Sequence, residues 1–204
     1  VDAVHARGAR VTAHSGYVAG ARAGVEAGVD ALEHGFELDE ATASIMAAKG
    51  IHLVSTLCVL ASWRTFGRTT TIPRFASDEG RAKVEARRER AMESVRIAHR
   101  AGVAIATGTD FGGGSTRANQ LAWEVEQLVE AGLEPWEALA SATWRGGELL
   151  GELEGLDEAV ASVAVDFRVH LVDLLEERER VAGGQVPPQL AALTKDDSEV
   201  TSQG

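Results

Sequence analysis

The sequence predicts an α/β protein with helices laid over a parallel sheet, on three observations. Helical and strand-like patterns alternate through residues 1–150 with short turns between them, as a βαβα chain requires. Glycines such as Gly28 and Gly50 close the helical patterns. Three of the four predicted strands end in a residue able to bind a metal or move a proton.

The opening VDAVHARGAR reads as the last turns of a helix running into a strand. The first strand is Arg10 to His14 (RVTAH), entered through Gly8 and followed by a helix from Val18 to Ala27. Ala31 to His34 (ALEH) is the second strand, and Asp39 is a good N-cap for a helix ending near Lys49. Ile51 to Leu57 (IHLVSTL) is a third, β-branched run. The connection from Cys58 to Ser77, with Trp63, Phe66, Gly67, Pro73 and Phe75, is long enough to read as a loop and a candidate lid. Asp78 is expected to cap a long helix reaching Arg100, with Ala91, Val95 and Ala98 on its apolar face and Arg87, Arg90 and Glu93 on a solvated one. Val103 to Asp110 (VAIATGTD) is the fourth strand, then come helices over Ala118–Ala131 and Pro135–Leu150. Past Gly151 the pattern changes to two short β-like runs, Ala161–Val165 and Val169–Leu174, and from Gly183 to Gly204 little fixed structure is expected.

Composition narrows the function. Twenty Lys and Arg stand against 31 Asp and Glu, a formal charge of −11, which opposes nucleic-acid binding because that needs clustered cations facing phosphates. One cysteine, Cys58, closes no intramolecular disulfide and reads as a small buried hydrophobe. No window approaches the roughly 18 to 20 apolar residues of a membrane span, and the first residues lack the pattern of a secretory leader. The expectation is a cytoplasmic protein acting on a small molecule, with neither nucleic acid nor membrane as partner.

His14, His34 and Asp110 sit at the C-terminal ends of their predicted strands. In a parallel α/β barrel such residues meet at one mouth, where the connecting loops form the active site. Two imidazoles and a carboxylate suit a divalent ion of the zinc type, which polarises a carbonyl and acidifies its water. The carboxylate of Asp110 would take that water's proton and return it to a leaving nitrogen. Each histidine taken alone reads more readily as a hydrogen-bonded structural residue; the coincidence of three carries the reading. His5 and His99, in helices before glycine turns, read as structural, while His52 and His170 lie away from the mouth. Ser15, Thr56, Ser115 and Arg117 are candidates for substrate contact, each with a turn or cap role as the alternative. Gly112 to Gly114 leave backbone N–H groups open, but GTDFGGGSTR has neither a Walker A ending nor a GxGxxG pattern, so it reads as a flexible turn beside Asp110.

These residues resemble the amidohydrolase superfamily, in the branch containing imidazolonepropionase-like enzymes and metal-dependent Xaa-Pro dipeptidases. RVTAHSG resembles that family's fifth barrel strand with its metal His, GVDALEHG the sixth, and AGVAIATGTDFG the eighth with its metal Asp. LVEAGLEPWEALASAT and GELLG resemble the helical segment after the last strand. The resemblance implies that His14 and His34 are metal ligands and that Asp110 is both ligand and proton shuttle, with one or two ions bound. It also implies a His-x-His on a first strand and, in two-metal members, a lysine on a fourth; neither has a counterpart here, the chain starting just before the strand that resembles the fifth.

The fold so implied is the C-terminal half of a TIM-type (β/α)8 metal-dependent hydrolase barrel over residues 1–150, part of a small β domain over 151–182 and a disordered tail over 183–204. Within VASVAVDFRVHLVDLLEE, Asp166 stands where the family has a turn glycine and Val169-His170 where it has Ala-Asp. A half barrel leaves two strand edges unpaired, so a homo-oligomer or an upstream N-terminal half is expected. The reaction implied is hydrolysis of a C–N bond in a cyclic amide, dipeptide or acylated amino acid through metal-activated hydroxide. The competing readings are an inactive truncated paralogue serving as a folded or partner-binding domain, and a barrel enzyme that works at the same mouth without metal.

Overall fold

A computed structural model of the chain describes residues 1–112, 116 and 120–151. A short helix α1 (Asp2–His5) precedes β1 (Thr12–Ser15), α2 (Val18–Ala27), β2 (Ala31–His34), α3 (Glu40–Lys49) and β3 (His52–Ser55). Then come α4 (Leu57–Phe66), α5 (Pro73–Ala76), α6 (Asp78–Arg100), β4 (Ile105–Thr107), α7 (Leu121–Ala131), α8 (Pro135–Ser141) and α9 (Trp144–Leu150). The four strands form one parallel sheet in the order β1-β2-β3-β4, each beside its neighbour in sequence. This is an α/β arc of the (β/α)8 type, with all four strands ending on the same side.

Strand register sorts the residues onto two faces. Ala13 pairs with Leu32, Leu32 with Leu53 and Leu53 with Ile105, a row that faces the helices and joins Val25, Met46, Leu60, Met92, Val95 and Leu128 in the main core. Each fully buried Leu or Met of that row contributes roughly 1.5–3 kcal/mol of transfer free energy. The opposite face carries His14, Glu33, Val54 and Ala106, and there only Ala31, Val54 and Ala106 form a small apolar cluster with Leu149 against it.

Helix ends follow the sequence signals closely. Asp39 accepts the Thr42 N–H at 2.7 Å, and Gly28 and Gly50 close their helices in the left-handed region at φ 80° and 68°. Pro135 opens α8 behind a Glu134–Glu137 capping box. At α6 the cap is Ser77, whose hydroxyl accepts the Gly80 N–H at 3.0 Å, and Asp78 is the first helical residue instead of the cap.

Three expectations need correction. The stretch from Cys58 to Ser77, expected as a loop, is mostly helical: α4 buries Leu57 through Ser62, whose nearly unbroken apolar run hides the helical period. The strands are shorter than their apolar runs, so Asp110 lies beyond β4 instead of at its last residue. The charged residues of α6 are not all a solvated face, since Arg88 is buried and holds Glu130 Oε2 at 2.5 Å and Gln127 Oε1 at 3.0 Å. The small β domain and the tail lie, beyond Gly151, outside the described residues.

Candidate functional site

β1 and β2 deliver His14 and His34 to one place. The register sets His34 beside Ser15, so regular alternation would turn the two imidazoles to opposite faces of the sheet. Backbone geometry prevents that: His34 has φ 67°, where the strand ends and its side chain departs from the alternation. The two rings meet edge to face with centroids 4.6 Å apart. On its other side His34 stacks on Phe36 at 5.3 Å. His34 Nδ1 lies 2.8 Å from Thr56 Oγ1, a hydrogen bond that occupies Nδ1, fixes the ring and leaves Nε2 free for a ligand.

Asp110 is the other strained residue. Among the described residues only His34 and Asp110 adopt a positive φ without being glycine, Asp110 at 50°. Such a backbone costs an L residue roughly 1–2 kcal/mol, and it persists only where the surroundings impose it. Burial draws the His34 imidazole below its ordinary proton affinity, while the Asp110 carboxylate acts in the opposite direction and His14 reinforces the lowering. Asp110 therefore stands within electrostatic reach of the histidine pair.

The fit to a divalent ion rests on these donors. Two imidazoles in contact, one with its second nitrogen already hydrogen-bonded, suit adjacent positions on one ion. No group of three His, Cys, Asp or Glu closes around a common point among the described residues. What the structure brings together is the histidine pair, with Asp110 after β4 acting on His34 electrostatically.

Ser15 is buried and spends its hydroxyl locally, donating to Tyr17 O at 2.8 Å and accepting from Tyr17 N at 3.3 Å. Thr56 is buried and faces His34. Ser115 and Arg117 lie outside the described residues. Cys58 is buried, and burial together with Glu124 pushes its thiol up, away from the thiolate a metal ligand needs. His5 pairs with Asp30 at 2.8 Å and His99 with Glu137 at 3.1 Å, both away from the histidine pair.

Two residues were not singled out by sequence reasoning. Glu124 is fully buried on α7; it accepts from Ser55 Oγ at 2.6 Å, Leu57 N at 2.9 Å and Cys58 N at 2.6 Å, and burial pushes its carboxyl up. Its signal was there: Leu121, Glu124, Val125 and Leu128 share one helical stripe, which places a carboxylate among core positions. Arg87, assigned to a solvated face, is half-buried, with its guanidinium over Phe36 at 5.5 Å, Trp63 at 5.7 Å and Tyr17 at 6.0 Å. It follows buried Val84 by one helical turn, the same kind of signal.

The sequence profile of a family described as "Amidohydrolase family" matches residues 1–164. An uncharacterized protein of Mycobacterium tuberculosis is 33% identical over 167 residues, 79% of this chain and 42% of its own length. Ochratoxinase of Aspergillus niger is 33% identical over 133 residues, 65% of this chain and 26% of its own. A crystal structure of a Xaa-Pro dipeptidase with methionine bound in its active site superposes with a TM-score of 0.62 at 27% identity, covering 75% of this chain and 36% of that one. The chain therefore spans less than half the length of the curated relatives it matches.

Proposed function

The chain belongs to the amidohydrolase family, and from that premise we propose that it carries part of a metal-dependent hydrolase that cleaves a C–N bond in a cyclic amide, dipeptide or acylated amino acid. The observation that supports this most is the coincidence of chemistry and strain. His34 at the end of β2 and Asp110 after β4, both carrying donor atoms, are the two non-glycine residues in the left-handed region among the described residues. Strain kept at the ends of strands is a feature of sites, because packing alone would have replaced it with glycine.

In this reading His14, His34 and Asp110 would contribute donors to a divalent ion of the zinc type. When bound, the ion supplies Lewis acidity and a hydroxide at neutral pH. The protein's own residues do the rest. Thr56 keeps the His34 ring oriented through Nδ1. Asp110 accepts the proton of the attacking water on its carboxylate and delivers it to the departing nitrogen. The named Xaa-Pro dipeptidase and ochratoxinase neighbours support a small-molecule substrate. Ser115 and Arg117 are proposed to contact that substrate.

The test is Asp110→Asn, assayed against a panel of Xaa-Pro dipeptides and N-acyl amino acids. Turnover is expected to fall by about 10²–10⁴, the usual worth of a positioned acid–base group, with an unchanged thermal melt. A variant that keeps the parental rate overturns the proton-shuttle role.

A further inference from the structure

We propose that the cavity enclosed by α4, α5 and α6 is a subsite for a carboxylate on an apolar body, and that it reads the anionic end of the substrate. The word substrate rests on the hydrolase reading above; the binding chemistry does not. The cavity has a volume of about 290 Å³, and its lining includes Trp63, Arg74, Phe75, Lys83 and Arg87, with no carboxylate. That size admits one small group with its attached chain, in keeping with a subsite more than a whole ligand pocket.

Three cations around a space without an acid are unusual in a chain of formal charge −11. α6 makes the contrast plain. Arg81, Arg88, Arg90, Arg96 and Arg100 all pair with carboxylates, namely Asp78, Glu130, Glu37, Glu89 with Glu93, and Glu93. Among the described residues Arg87 has no such partner, and its contacts are the faces of three aromatic rings. Stacking on rings holds a guanidinium in place while leaving its N–H donors unspent. Arg74 repeats the arrangement, over the Phe75 ring at 4.7 Å and without a carboxylate among the described residues. Lys83 pairs with Glu79 at 2.6 Å, but both side chains are about three-quarters exposed, so that pair is weak and its ammonium free to exchange.

Position ties this cavity to the histidine pair. Phe36 lies under the Arg87 guanidinium and stacks on His34, and Tyr17 follows His14 on the loop after β1. Arg87 is thus shared between the cavity lining and the aromatic ring that backs His34. Burial of aromatic faces beside a cation is the usual composition of a site for an acid with an apolar body.

Binding is to be measured by calorimetry on the full chain with a chelator present, so that neither turnover nor a metal contributes. The probes are N-acetyl-L-phenylalanine, its amide and inorganic phosphate. The carboxylate is expected to bind at least about tenfold more tightly than the amide and than phosphate, with a preference that weakens as salt is raised. Arg87→Gln should abolish the preference for carboxylate over amide. Arg74→Gln, at an exposed position, should reduce it severalfold and decides the matter if Arg87→Gln fails to fold. Glu79→Gln, which releases Lys83, should tighten the carboxylate further, a gain that a merely structural role does not produce. Equal affinities for acid and amide, phosphate bound as well as the acid, no binding of the acid, or a preference left undiminished by Arg74→Gln would each overturn the proposal. Loss of the Asp110 proton-shuttle role through an active Asp110→Asn would leave this result untouched, as would the absence of any turnover in the parent.

Discussion

His34 and Asp110 pay for their positions in backbone conformation, and that cost can be returned. Asp110→Gly removes the Cβ penalty of a left-handed backbone at φ 50°, against glycine's own entropic disadvantage, so the net change expected is a gain of up to about 1 kcal/mol. Chemical denaturation checks this, and a clear loss of stability would show that the Asp110 side chain supports the fold. The same variant should have no turnover, separating what the residue does for chemistry from what it does for the fold. The contact between His14 and His34 was legible in the sequence because strand ends and donor chemistry both appear in a linear pattern. The strain at His34 and Asp110 was not, since φ follows from how the loop after a strand is anchored by distant residues. Thr56 was visible only as a polar residue near a strand end; that it faces Nδ1 of His34 depends on the proximity of β2 and β3.

At the scale of elements, one side chain joins three of them. Glu124 of α7 holds the end of β3 through Ser55 and the first turn of α4 through the Leu57 and Cys58 N–H groups. Glu124→Ala strands those buried donors and should cost about 3 kcal/mol or more, each unsatisfied group costing about 1–3. A melting temperature within a degree or so of the parent's would sink this account. Gly80 performs a second joining role. A Cβ there would sit 2.5 Å from the Arg74 carbonyl oxygen and 2.9 Å from that of Pro73, so Gly80→Ala must push α5 away from α6. Loss of the acid-over-amide preference in the calorimetric assay, with the histidine pair's metal affinity intact, is the expected outcome. Neither contact was read from the sequence, although Glu124 shares a helical stripe with Leu121, Val125 and Leu128. α4 itself was missed because a run that is apolar at nearly every position carries no period to read.

For the molecule as a whole, proton and metal linkage give separate handles. Burial draws His52 below its ordinary value of 6.5, with Glu148 opposing and Arg10 and Arg145 reinforcing the shift. A histidine whose folded pKa is depressed binds its proton more readily when unfolded, so stability is present above pH 6.5 and is lost as pH falls below it. Denaturation midpoints should therefore decline between about pH 7 and 5, and His52→Gln should flatten that decline; an unchanged slope would assign the acid sensitivity elsewhere. Zinc should raise the melting temperature of the parent, by the equivalent of about 2.7 kcal/mol at a hundredfold excess over Kd, and EDTA should reverse it. His14→Gln with His34→Gln should remove the effect, whereas persistence of the shift in the double variant would place the ion elsewhere. The strand order β1-β2-β3-β4 has a consequence for how the chain comes to be folded. Each strand pairs with the one made just before it, and no later segment must be threaded between two earlier ones. Both members of the histidine pair thus come from neighbouring strands at one edge of the described sheet, whereas Asp110 follows the strand at its other edge, so the sheet's whole width separates their points of attachment.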